Sequence, residues 1–333
     1  MDQEEQQKQL QQTIDKWTTY DIDPDWFSEQ SHVAAIVPLH IKTNYSAYPV
    51  PEFLQLVKQN VSAIEYTLYQ AASMGVDSIW IVTKPSMYRF VRNRIPDFIV
   101  DNARNKENNI GKNSRRIPIM IVPEQERFVG VRDSPAWHLY YGAMTAYKCC
   151  NVLSKWQTPS KYIYLSPYAM MDEEEISSVE MRKAIRSHEQ QIFVHNGKNY
   201  LDYELLPFTF RLEELKNVGT NIRTQMLLVS NSFSSKSSYE QYTREITIPN
   251  MFKQLDDFRR TNVEIKEYYS IESWLGYREY LNSDLSKKPT SLNIQRKRYF
   301  KHSPEPHWKF GNIFKEKEVR FNEFMDHLTT KIK

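Results

Sequence analysis

The stretch RKRYFKHSPEPHWKF sets Arg296, Lys297, Arg298 and Lys301 among Tyr299, Phe300 and Trp308. Cations interleaved with rings can neutralise phosphates while the rings stack on bases, so this is a candidate nucleic-acid segment. A basic tail packed on an acidic face would have the same composition. His138 beside Trp137, with Asp133 nearby, has the residue types of an acid–base pair, and a hydrogen-bonded buried histidine is the structural alternative. His188, Glu189 and His195 in SHEQQIFVH carry metal-donor atoms, but they straddle a helix-to-strand break and make no zinc spacing. The serines of SNSFSSKSSY have no G-x-S-x-G elbow around them, so that run reads as a loop. Of the eight glycines, none precedes Gly75. A backbone cradle for a phosphate needs close approach, and the first part of the chain has no glycine to provide it.

The elements that must position these residues alternate. VAAIVP is a candidate buried strand, Ile64, Leu68, Ala71 and Ala72 fall at helical spacing up to Gly75, and DSIWIVT is a second strand. Strand, helix and strand in that span make a right-handed parallel crossover. RFVRNRIPDFIVDNARNKENNIGKNSRR follows as a helix and loop, then IPIMIVP as a strand, AWHLYYGAMTAYKCCNVLSKW as a helix and KYIYLSP as a strand. Beyond residue 172 the order mixes: DEEEISSVEMRKAIRS reads as one helix, QIFVHNGKNY as a strand turning at Asn196-Gly197, TQMLLVSN as a buried strand, MFKQLDDFRR as a helix and VEIKEYYS as a strand. The pattern predicts an α/β fold of the Rossmann-like three-layer kind, with a mostly parallel central sheet. Residues 1–30 form an N-terminal helix and connector, 31–283 the α/β domain, and 284–333 a basic, aromatic extension ending in a helix.

The 333 residues carry a net charge of +3, with 40% hydrophobic and 26% charged residues, an ordinary globular balance that gives no reason to expect wholesale nucleic-acid coating. The two cysteines, Cys149 and Cys150, are adjacent and do not form an ordinary bridge, which suggests a reducing compartment. No stretch approaches the roughly 18 apolar residues of a membrane span. The expectation is a cytoplasmic protein without a membrane partner.

From Val33 to Thr83 the chain resembles the opening of the nucleotide-diphospho-sugar transferase superfamily, which includes nucleotidyltransferases and many glycosyltransferases. The parts that carry the resemblance are AAIVP, LHIKTNYSAYPV, Pro51-Glu52, FLQL, SAIEYTLYQAASM and GVDSIWIVT. DSPAWHLYYGAMTAY matches a helix bordering the family's base pocket, YIYLSPYAMMDEEEI a strand ending at a metal-binding aspartate, and YYSIESWLGYREYL a segment with a second metal-binding acid. The resemblance implies in-line displacement at a phosphoryl group, with Mg2+ or Mn2+ and a nucleotide or nucleotide sugar. The pattern also resembles an uncharacterised family of large tailed phages, implying host cytoplasm or virion.

The departures bear on one site. Glu52 stands where the family has a phosphate-binding lysine, and Pro167 where it has the first metal ligand. Two unit charges about 4 Å apart at an effective dielectric near 20 interact by roughly 4 kcal/mol, so the reversal at Glu52 changes sign at that scale. His40, Lys42 and Lys84 are the candidate compensating phosphate contacts, and Glu272 and Asp172 the candidate metal ligands; Lys42 is also readable as a solvated loop charge and Asp172 as a helix cap with Glu175. The expectation is a degenerate member with no cofactor, serving as a binding or assembly protein with a protein partner or as a homo-oligomer. An active nucleotidyltransferase or glycosyltransferase with a rebuilt site is the alternative.

Overall fold

A computed structural model describes residues 32–39, 51–58, 61–101, 115–124, 134–153, 158–230, 246–252 and 260–288. All belong to the first of two compact units, Met1–Ile294. The elements are β1 (Val33–Pro38), β2 (Leu56–Lys58), β3 (Val61–Ser62), α1 (Ala63–Ser73), β4 (Ser78–Thr83), α2 (Pro85–Arg94), β5 (Phe98–Val100) and β6 (Arg116–Pro123). Next come α3 (Pro135–Leu153), β7 (Lys161–Tyr164), β8 (Ala169–Met171), α4 (Glu173–Ile176), α5 (Val179–Arg186), β9 (Gln190–Val194) and β10 (Phe208–Arg211). The chain continues through α6 (Leu212–Ser230), α7 (Ile248–Phe252), β11 (Arg260–Glu264), β12 (Tyr268–Ser270), α8 (Trp274–Asn282) and α9 (Asp284–Lys287).

Eight strands form one sheet in the order β11-β9-β10-β7-β1-β4-β6-β5. The centre is parallel, with β1 between β7 and β4 and β4 beside β6, and β11 is parallel to β9. β10 and the edge strand β5 run antiparallel to their neighbours. This is the mixed, mostly parallel α/β sheet that the alternating pattern predicts. Every residue of β1 and β4 is buried, as expected of strands covered on both faces. Helix α3 lies on both. Gly142 permits that approach: a Cβ there would come within 2.5 Å of Val82 Cγ2 and 2.8 Å of Ile36 Cγ2.

Helix α1 is buried at all eleven positions. The Glu65 carboxylate accepts from the Ser62 backbone at 2.9 Å, closing its first turn, and Gly75 at φ +82° turns the chain out of its last. Asp77 follows. Its Oδ2 accepts from Val33 N at 2.8 Å while its own N–H donates to Val33 O at 2.8 Å, so one residue fixes the start of β4 against the start of β1. Its Oδ1 pairs with Arg186 at 3.0 Å and with Arg115, bringing in α5 and the approach to β6. The GVD triplet is thus a backbone turn plus a carboxylate hub. Burial, then Arg186 and Arg182, lower Arg115 to about 10, which leaves it charged at neutral pH. Next to this hub, Arg182 holds the fully buried Asp101 through two bonds of 3.0 and 2.7 Å.

Four local expectations change. TQMLLVSN lies largely in helix α6, because a short apolar run satisfies either period and the helix begun at Leu212 continues through it. The strand in that region is FTFR, β10, stacked through Phe210 on Tyr162 at 5.3 Å. DEEEISSVEMRKAIRS is two helices, since Ser178 caps a new start by accepting from Met181 N at 3.2 Å. VEIKEYYS divides between β11 in the main sheet and β12, which pairs with β8 instead. Asn196 and Gly197 do turn the chain, with φ of 51° and 74° and a His195–Lys198 bridge. The N-terminal helix expected over residues 1–18 and the extension beyond Lys288 lie outside the described residues.

Replacing Asp77 by Asn keeps an acceptor for Val33 but leaves two guanidinium groups without their carboxylate. We expect a loss of about 2–4 kcal/mol, the lower part of the range for breaking a buried pair because Asp77 is partly solvated, read by urea denaturation. An unchanged midpoint would mean that the hub is dispensable. Lys161 gives a pH test. Its ammonium is buried at the start of β7, donating to Ser187 O at 3.0 Å, and burial lowers it from 10.5 to about 7. Between those values the unfolded chain binds the extra proton, so stability from this group rises with pH above 7. Lys161→Met should flatten the stability–pH curve between about pH 7 and 9 by up to about 1.4 kcal/mol per unit.

Candidate functional site

The carboxyl ends of the central parallel strands are where ligands bind in open α/β sheets. Here that end is made by Leu39 after β1, Lys84 after β4, Glu124 after β6 and Leu165-Ser166-Pro167-Tyr168 after β7. Leu39 N donates to Val82 O at 2.8 Å, Glu124 N to Thr83 O at 2.8 Å and Leu165 N to Ile36 O at 3.1 Å, so the four exits are stitched together. Past this point the chain makes a small ladder, β8 against β12, in which Ala169 faces Ser270 and Met171 faces Tyr268. Ile271 N donates to Tyr168 O at 2.9 Å, which extends the ladder. Pro167 lies in the turn that precedes the ladder, closed by Ala169 N donating to Ser166 O at 3.3 Å, and Glu272 lies just past Ile271.

Of the two positions to which the resemblance assigns metal-binding acids, Glu272 is half-buried and Pro167 is buried. A divalent ion takes several oxygen donors, and the Pro167 ring supplies none. Among the described residues, no group of three or more His, Cys, Asp or Glu could hold a metal.

Glu52 opens a short 3-10 turn, Glu52–Leu54, and is 4% exposed. Burial, followed by the charges of Glu52 and Glu272, pushes the Tyr168 hydroxyl well above its ordinary range. That shared influence sets both glutamates around one tyrosine. Burial likewise raises Tyr164, where Glu204 and Glu272 add to the effect and a hydrogen bond with Ser166 opposes it, and raises Tyr268, again with Glu272 contributing. Glu52, Tyr164, Ser166, Tyr168, Tyr268 and Glu272 thus make a neighbourhood of acids and phenols at the sheet's carboxyl end. Tyr168 is 4% exposed. Tyr164 and Tyr268 escaped sequence reading because each lies inside a strand run, where an aromatic reads simply as core.

Lys84 stands at the expected end of the sheet, as the residue before α2. Asp172 does not join Glu272: the β8–β12 ladder carries it to the opposite end, beside Tyr268 rather than Glu272. Nor does its side chain cap α4 with Glu175. Asp172 pairs with Lys288 at 3.3 Å, and Glu175 accepts the Lys266 N–H at 3.1 Å through each oxygen. A cavity of about 420 Å3 opens there, lined by Asp172, Glu174, Glu175, Ser178, Lys266 and Glu267. Next to it the buried Lys58 pairs with Glu173 at 3.6 Å and is lowered by burial, with Glu173 opposing. His40, Lys42, Tyr45 and Tyr48 lie outside the described residues, as do Asp133, Arg296, Lys297, Arg298 and Lys301.

The His138 constellation is structural. His138 and Glu124 are 0% and 2% exposed, with Nε2 to Oε2 at 3.3 Å, and Trp137 Nε1 donates to Glu124 Oε1 at 2.9 Å. One carboxylate thereby ties the end of β6 to the first turn of α3. His195 is held by the Ile265 carbonyl at 2.9 Å and lies against Tyr268, 5.5 Å between ring centroids.

No family model matches the chain, and no curated protein matches it. Solved structures do. A UDP-glucose pyrophosphorylase from Acinetobacter baumanii is 13% identical over 87% of this chain and 99% of its own, with a TM-score of 0.41. A UDP-glucose pyrophosphorylase complexed with UDP-glucose is 9% identical over 77% of this chain and 100% of its own, at 0.46. Rv0371c from Mycobacterium tuberculosis H37Rv is 12% identical over 76% of this chain and 98% of its own, at 0.41.

Glu124→Ala should cost about 3 kcal/mol in a denaturant titration, because a buried indole N–H and a buried imidazole lose their common acceptor. Glu124→Gln keeps an acceptor for Trp137 and should cost less. Equal losses would mean that the Trp137–Glu124 bond contributes nothing.

Proposed function

We propose that this chain is a binding or assembly protein on a nucleotidyltransferase-like fold, without the triphosphate chemistry of that fold's enzymes. The observation that carries the reading is the buried Pro167, standing where the resemblance implies a metal-binding acid. A ring with no donor thus stands where that acid would be. Glu52 supports the same reading: a buried carboxylate beside Tyr168 repels a triphosphate where a lysine would attract it. Phosphoryl transfer depends almost wholly on positioning and on neutralising charge, so a site with an added acid and one metal ligand fewer loses both contributions. The resemblance to a family of large tailed phages favours work inside an infected cell or a virion.

The test is a thermal-shift and calorimetric screen of nucleoside triphosphates and sugar nucleotides with Mg2+ or Mn2+. A ligand at 100 times its dissociation constant would stabilise the fold by about 2.7 kcal/mol. We expect no shift with any of them. A shift that Glu272→Gln abolishes would overturn the reading in favour of an active transferase with a rebuilt site, in which Glu272 and Lys84 take part.

A further inference from the structure

We propose that the edge strand β11 is a contact surface through which two copies of this chain pair antiparallel about a two-fold axis, joining their sheets into one. β11 has β9 on one side and, among the described residues, no strand on the other. An open edge is a template for a further strand, because its outward N–H and C=O groups can pair with another chain. Which residues those are follows from the ladder with β9. Glu264 lies opposite Val194, and Ile265 N donates to Val194 O at 2.8 Å. Successive residues of a strand send their main-chain groups to alternate sides, so Thr261, Val263 and Ile265 bond inward to β9. Arg260, Asn262 and Glu264 therefore point outward, and Asn262 and Glu264 are exposed.

The order of residues along that edge selects the occupant. Asn262 is the centre of the strand Arg260–Glu264 and points its N–H and C=O outward, so a two-fold axis beside it makes a hydrogen-bonded pair of Asn262 with its own copy. The same register sets Arg260 of each copy opposite Glu264 of the other, and these outward-facing residues also form hydrogen-bonded pairs. Alternate residues share a face, so each Arg260 guanidinium lies beside a Glu264 carboxylate of the mate, while on the other face Thr261 meets Val263, a β-branched pair. Burial raises the Glu214 carboxyl while the charge of Arg260 opposes it, which places Arg260 on the side of the sheet where α6 lies. There Arg260 Nη2 is shielded from solvent and has no hydrogen-bond partner among the described residues. The mate's Glu264 supplies an acceptor. A different extended chain would make the main-chain bonds without both charge pairs, whereas R-T-N-V-E is its own complement when reversed. The strand spans about 17 Å, so the contact is at the small end of specific interfaces. This edge is three strands from β7, and its test leaves the reading of the crevice beyond β7 untouched.

Sedimentation of the full chain over about 1 to 100 µM, the range in which a small interface populates both states, should show the mass rising from one chain toward two. N262P removes the outward N–H at the axis from both copies and leaves the ladder to β9 whole, because that ladder uses the alternate residues. It should raise the dissociation constant at least about 30-fold, with an unchanged circular dichroism spectrum. E264R and R260E should each be monomeric alone, because both outer pairs then carry like charges. An equimolar mixture of the two should dimerise again, because only the mixed pair sets opposite charges at both positions. N262P and E264R change exposed positions, so they decide the matter even where R260E disturbs the fold beside Glu214. A wild-type chain that stays monomeric throughout, a dimer that survives N262P or E264R, or a mixture of folded R260E and E264R that stays monomeric would each overturn the proposal.

Discussion

The carboxylate of Asp77 is the constraint on which the rest of the sheet depends. Parallel strands cannot be joined by a tight turn, so their register must be set by something other than the connection between them. Here it is set by one side chain that accepts the first N–H of β1 while its own backbone pairs with the same residue. The register of β1 against β4 then runs without a slip from Ala34 opposite Ser78 to Pro38 opposite Val82. Because Arg115 and Arg186 meet at the other oxygen, the same carboxylate ties the approach to β6 and the end of α5 to that register. The left-handed turn at Gly75 is what delivers Asp77 there, and the Gly75 carbonyl is itself held by Arg186 at 2.7 Å.

This explains which parts of the fold were legible in the sequence. The triplet Gly75-Val76-Asp77 was readable because a local backbone need and a fixed polar role coincide within three residues. The central strands were readable because burial on both faces writes a continuous apolar run, as in Ser78–Thr83. The two short antiparallel strands, β5 and β10, were not. Phe98–Val100 is three residues long and follows a proline, and Phe208–Arg211 is recognisable only through its cross-strand partners Tyr162 and Tyr164, far away in sequence. The apolar run in TQMLLVSN had the opposite fault, a local pattern compatible with either period whose outcome was fixed by the helix already under way at Leu212.

The candidate site was legible in identity and not in arrangement. That Glu52 and Pro167 stand where the resemblance implies a lysine and a metal ligand is read from residue types alone. That Asp172 and Glu272 lie beyond opposite ends of the β8–β12 ladder follows from pairing between strands about one hundred residues apart, which no local signal announces. Asp172 and Glu175 had the spacing of a helix cap, yet Lys288 and the Lys266 N–H offered each a partner from outside the helix. Long-range pairing overrode the local rule in both cases.

The two ends of the sheet answer to different demands. The amino end holds the carboxylate hub at Asp77 and the buried Arg182–Asp101 pair, which fix the strands regardless of what any ligand does. At the carboxyl end, the backbone bonds from Leu39, Glu124 and Leu165 and the indole of Trp137 close the strand exits without help from Glu52, Pro167 or Glu272. The architecture is indifferent to the residue type at position 167, because the ladder bond from Ile271 to Tyr168 needs neither an acid nor an N–H there. The same separation lets burial raise a row of tyrosine hydroxyls around Glu272 while the sheet beneath keeps its register. A fold organised in this way can change what its crevice recognises without changing how it folds.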